Sequence, residues 1–189
     1  MSMTMRWVFI SAVIAMATHL FIVYATPTTL TARAIENFSK NAPINSIFHQ
    51  ERLTQEDALS DFANLDLIYD TCAFDVSRNP ISITAEVPQS FWSLSLYADN
   101  RQVFFSIDEV KAGAAKIEII LIGPDADRDR ASEEIRIPVI RTPSTKGVAV
   151  FRTLIPGDSR FAEVDEIRRR STCSEITPEA EEPNDSQAQ

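Results

Sequence analysis

Four side chains in this sequence combine types that do acid–base or ligand-binding work. Asp66, Tyr69 and Asp70 fall within one short stretch, and Arg152 lies far down the chain. Two carboxylates, a phenol and a guanidinium can grip a polar ligand or pass a proton between them. The plainer use of the same residues is structural: Arg152 neutralises Asp66 or Asp70 and ties two strands together. An arginine inside a sheet signals an ion pair more often than a reaction, and the ion pair is the preferred reading. Asp125, Asp127 and Asp129, with Glu133 and Glu134 close by, alternate as calcium ligands do. An EF-hand would need glycine where Arg130 stands and glutamate where Arg136 stands. With Arg128 and Arg130 neutralising the acids locally, a solvated charged loop is expected instead. Phe91, Trp92, Phe104 and Phe105 can line an apolar pocket or fill a sheet core, and core packing is expected.

The remaining inventory is thin. His19 sits inside a hydrophobic run and His49 stands alone near a Pro-containing loop. With Cys72 and Cys173 they make no pair at zinc spacing, and neither histidine has a hydrolase constellation beside it. No metal and no cofactor is expected. The formal charge is −9, with 18 bases against 27 acids. A phosphate backbone would repel such a chain, which argues against a nucleic-acid partner.

These residues need elements to hold them. Trp7 to Tyr24 is an uncharged, mostly apolar run preceded by Arg6, with aromatics at both ends. It reads as an uncleaved transmembrane anchor. The competing reading is a cleaved signal peptide, with small-residue sites at Val23-x-Ala25 or Ala32-x-Ala34. The organisation expected is a cytoplasmic tail (1–6), an anchor in the inner membrane (7–24), a Thr/Pro linker (25–34), a β-rich domain (35–173) and a disordered acidic tail (174–189). A short tail ahead of a signal-like segment suggests a cytoplasmic N-terminus and a periplasmic domain, where Cys72 and Cys173 would pair as a disulfide.

Within the domain, Thr54 opens a capping-box pattern for a helix over 55–64. The period then changes to two. Ile81, Ile83, Ala85 and Val87 alternate with polar residues, as do Trp92, Leu94, Leu96 and Ala98. Val103, Phe105 and Ile107 follow after an Asp99-Asn100 turn. Further strands are expected at 67–74, 116–122, 135–140 and 147–154, and a helix starting at Asp158 or Ser159 closes the domain. Its acids precede Arg168, Arg169 and Arg170, the order that suits a helix dipole. Seven short strands point to a mainly β protein, an antiparallel sandwich or jelly-roll-like domain.

The stretch Asn64 to Asp70 (NLDLIYD), then Phe74 to Ser77, Asn79-Pro80 and the strand to Val87-Pro88, resembles the bacterial domain-of-unknown-function family 1254. Phe91 to Asn100, Leu121 to Pro124 and Phe151 to Leu154 are similar to it as well, in the same order. Ile68 to Thr71 depart from the family's Asp-Thr-Leu-Tyr-like run. The resemblance implies a β-rich, jelly-roll-like domain, often in membrane-anchored or exported bacterial proteins. In longer relatives a second β-rich unknown domain, family 1214, follows. Its absence here implies work beside a separately encoded family 1214-like envelope protein. The resemblance supplies no catalytic residue. The expected function is a membrane-anchored interaction or assembly module and not an enzyme. The alternative is a small-ligand binder or enzyme built on Asp66, Tyr69, Asp70 and Arg152.

Overall fold

In the computed structural model the structure describes residues 2–54, 64–113, 116–126 and 137–177. The apolar run folds as helix α1, Met3–Asn41, which continues through the expected linker with Pro27 inside it. Proline removes one backbone donor. Threonine hydroxyls add local bonds around it, from Thr26 to the Ile22 carbonyl (2.6 Å) and from Thr31 to the Pro27 carbonyl (3.0 Å). The helix is long and apolar enough to cross a membrane. Trp7, Phe9, Ile14, Phe21 and Tyr24 stand exposed along it.

Among the described residues nine strands follow: β1 Ile47–His49, β2 Leu67–Asp75, β3 Ile81–Glu86, β4 Trp92–Ala98, β5 Val103–Asp108, β6 Lys116–Ile122, β7 Val139–Arg141, β8 Lys146–Leu154 and β9 Thr172–Glu175. A four-residue helix, α2 (Glu109–Ala112), follows β5, and α3 (Phe161–Arg168) precedes β9. The strands form one sheet in the order β1-β2-β8-β4-β5 and a second in the order β7-β6-β3-β9. All pairs are antiparallel except β6 with β7, so the second sheet is mixed.

The alternating residues do what their spacing demands. Ile81, Ile83 and Ala85 from one sheet meet Leu94, Leu96, Phe105 and Phe151 from the other in one shared core, to which Ile117, Ile119, Leu121, Phe74 and Trp92 also belong. Gly147 lies where strands press closest. A Cβ there would come within 2.2 Å of the Tyr97 carbonyl and 2.4 Å of the Phe74 ring.

Several expectations change. β1 and β9 were not foreseen, and the domain closes with β9, not with a helix. Ser174 and Glu175, assigned to a disordered tail, lie in that strand, and Glu175 accepts hydrogen bonds from Asn45 (2.5 Å) and Asn79 (3.1 Å). Those two bonds hold the Glu175 carboxyl below its ordinary range. The terminal helix begins as a 3₁₀ turn, Asp158–Arg160, with no side-chain cap. The expected helix at 55–64, except for Asn64, and the Asp127, Asp129, Glu133 and Glu134 part of the acidic loop lie outside the described residues.

Cys72 in β2 and Cys173 in β9 are disulfide-bonded, joining the two sheets through the core. The bond closes a loop of 101 residues, which corresponds to roughly 4–5 kcal/mol in the chain-entropy model. We expect non-reducing peptide mapping to recover the Cys72–Cys173 linked pair. A Cys72→Ala/Cys173→Ala protein should lose a stability of that order in denaturant titration.

Candidate functional site

On a strand, neighbouring residues point to opposite faces, and this splits the expected group in two. Asp70 shares the inner face with Cys72 and Phe74 and is 2% exposed. Tyr69 and Arg152, paired directly across β2 and β8, share the outer face. Asp66 lies exposed ahead of β2, its backbone carbonyl accepting from the Ile155 N–H (2.8 Å). Arg152 therefore forms no ion pair with either aspartate, and the expected strand tie through it is corrected. It donates instead to Ser95 Oγ (3.1 Å) and Tyr97 OH (2.7 Å), its guanidinium 6.0 Å from the Tyr97 ring centroid.

The partner of Asp70 is Arg168. Asp70 Oδ1 accepts from the Arg168 guanidinium and contacts His49 Nδ1 at 2.9 Å. His49 is placed there by the β1–β2 register, directly opposite Asp70. Arg168 is itself only 2% exposed, donates to the Gln50 carbonyl (2.9 Å) and forms a second ion pair with Asp165 one turn earlier. Asp165 also takes the Arg169 Nε–H (2.8 Å). Burial pushes the Asp165 carboxyl up, but the Arg169 hydrogen bond and the charge of Arg168 outweigh it and hold the group below its usual range.

Helix α3 thus closes one end of the sandwich. Arg168 reaches Asp70 in the first sheet, and Arg170 reaches Glu86 in the second at 3.0 Å. The three consecutive arginines, each turned about 100° from the last, divide their work: one is buried and two lie at the surface. A histidine held by an aspartate is half of a hydrolytic device, yet Asp70 Oδ1 is already shared with a buried guanidinium. The cluster is a structural clamp.

Elsewhere the described surface is indented in several places. A hollow of about 270 Å³ lies by Arg78, Asn79, Gly123 and Asp125. A wider groove of about 520 Å³ is lined by Val87, Pro88, Phe91, Trp92, Glu109 and Gly113. Among the expected aromatics, Trp92 is buried in the core and Phe104 and Phe105 pack against it, while Phe91 is 43% exposed. Among the described residues no group of histidine, cysteine or acid side chains is placed to hold a metal ion.

The sequence pattern of the family described as "Protein of unknown function (DUF1254)" matches residues 44–175. No curated protein matches the chain. Among solved structures, the chain is similar to the VPA0106 protein from Vibrio parahaemolyticus, with a TM-score of 0.61 at 12% identity, over 87% of this chain and 42% of that one. It also matches a putative uncharacterized protein from Burkholderia cenocepacia, with a TM-score of 0.44 at 12% identity, over 64% of this chain and 34% of that one. The chain thus spans less than half the length of either protein. The Vibrio likeness shows a shared fold.

Two outcomes test the clamp. Arg168→Leu should cost about 3–5 kcal/mol, because it strands Asp70 in the interior, while Arg152→Leu should cost about 1 kcal/mol or less. Chemical denaturation of both proteins checks the contrast. Asp165 has a folded-state pKa below its unfolded one, so its contribution is complete above the ordinary value of 3.8 and is lost as pH falls through and below it. Melting curves from about pH 7 to about pH 3 should show that acid-side loss in the native protein and a smaller one in Asp165→Asn.

Proposed function

We propose, from the premise that the chain belongs to the DUF1254 family of proteins of unknown function, that it is a single-pass anchor carrying an interaction or assembly module. In this reading α1 crosses a bacterial inner membrane with its N-terminus in the cytoplasm. The two-sheet domain works on the periplasmic side, beside a separately made envelope protein of the family 1214 type. The bare apolar surface of α1 supports the anchor, since lipid is the solvent that covers such a surface without cost. The disulfide supports an oxidising compartment.

The observation that carries the module reading is the apolar exposure around strand β5. Among the described residues β5 is an edge strand, bonded to β4 alone, and its outer row of backbone groups has no described strand beside it. Val103 at its start is 46% exposed, Val110 just past its end is 84% exposed, and Phe91 borders the neighbouring groove. The acids that resembled a reactive group are, by contrast, apart from one another or locked in the α3 clamp.

Two measurements decide the matter. Protease added to spheroplasts should digest the domain, and protease added to intact cells should not; protection in spheroplasts would reverse the orientation. A photo-crosslinking residue at Val110 should capture one envelope protein in native membranes, and the same residue at Glu118 on the other sheet should not. Equal capture from both positions, or none from Val110, would remove β5 as the docking edge.

A further inference from the structure

We propose that Arg152 is the centre of an oxyanion-binding site on the outer face of the five-stranded sheet, fitted to the carboxylate or phosphate of a small polar molecule. The proposal stands independently of the docking edge at β5.

The first ground is an uncompensated charge. Arg152 is half-buried, and its contacts are two hydroxyl groups and an aromatic ring, with no carboxylate in ion-pair range among the described residues. Arg168, buried more deeply at the other face, is neutralised twice. Within Arg152's own row across the sheet (Tyr69, Arg152, Ser93, Asp108) the single acid is turned away: Asp108 caps α2 by accepting the Lys111 N–H. A guanidinium partly removed from water is stabilised by an anion, and none is supplied among the described residues.

The second ground is the direction of the donors. Ser95 Oγ and Tyr97 OH each spend a lone pair on Arg152, which leaves their own protons free to donate. Of the five guanidinium N–H groups, these bonds use two, so three remain without an acceptor among the described residues. Hydroxyl donors polarised by a cation, beside a planar fork of N–H groups, match the lone pairs of a carboxylate or phosphate.

The third ground is a buried hydroxyl without a partner. Thr71 and Ser95 flank Val150 in the next row of the same face, which places them on either side of the strand that carries Arg152. They are 8% and 7% exposed, and Thr71 Oγ1 has no hydrogen-bond partner among the described residues. Leaving such a group unpaired is costly, and a ligand oxygen or its bridging water would satisfy it.

The test uses the full chain in detergent micelles, titrated with sodium phosphate or with sodium succinate against sodium chloride at constant ionic strength. Binding is read from the Nε–H resonance of ¹⁵N-labelled arginine and from the melting midpoint. One arginine signal, absent in Arg152→Gln, should shift saturably, and the midpoint should rise with it. Arg152→Gln should abolish the midpoint rise, Tyr97→Phe and Thr71→Val should weaken apparent affinity by about three- to tenfold, and Lys116→Gln should leave it unchanged. A response to only one of the two anions assigns the acid group of the ligand. No saturable response to either anion overturns the proposal, and so does an Arg152→Gln protein that responds like the native one. Should Arg152→Gln fail to fold, undiminished affinity in Tyr97→Phe overturns it equally.

Discussion

The buried pairing of Asp70 with Arg168 is the interaction on which the domain's closure depends. Each group is 2% exposed, and the Asp70 charge is costly there without a cation beside it. The pair fixes where α3 lies, and α3 fixes where the chain re-enters the sheets as β9. Two residues beyond Asp70, Cys72 takes the disulfide from Cys173. The same short stretch of β2 is therefore tied twice to the same terminal segment, once by charge and once by a covalent bond. His49 adds a third hold by bringing the edge strand β1 onto the same carboxylate.

Much of this fold is legible in the sequence, and the limits of legibility have physical causes. The strands with strict alternation, β3 and β4, are readable because one face must be apolar to meet the opposite sheet. β1 and β9 are three and four residues long, too short to display a period. The charge run at the end of α3 reads as a surface feature complementing the helix dipole, since composition cannot say which of three successive arginines turns inward. Asp70 was singled out, but its partner was assigned to the wrong arginine. The period-two rule already forbids Tyr69 and Asp70 from serving one site, and their separation onto opposite faces is what the structure shows. Tyr69 and Arg152 of that group are register partners across β2 and β8. His49 looks isolated because its partner is set by strand register 21 residues away, not by local spacing.

The two buried or half-buried arginines on either face of the first sheet illustrate how environment decides a residue's role. Arg168 meets two carboxylates and a carbonyl, so its capacity for interaction is spent on the fold. Among the described residues Arg152 meets only hydroxyl groups and a ring, which leaves its charge without a carboxylate there. The sequence offers no sign of this difference. It arises from which strand neighbours the register supplies, and it separates the part of the molecule that holds the fold from the part available to a ligand.

The position of β8 also constrains when the protein can become itself. β8 lies between β2 and β4, yet it is made more than sixty residues after β2 begins and after β4, β5 and β6. Until Leu154 is available, β2 and β4 have no shared neighbour and each presents an open edge. The first sheet can then assemble only late, from segments distant in the chain, which is the slow and aggregation-exposed route to a β fold. A chain emerging N-terminus first spends that interval with β2 and β4 on separate partners and their inner edges unpaired.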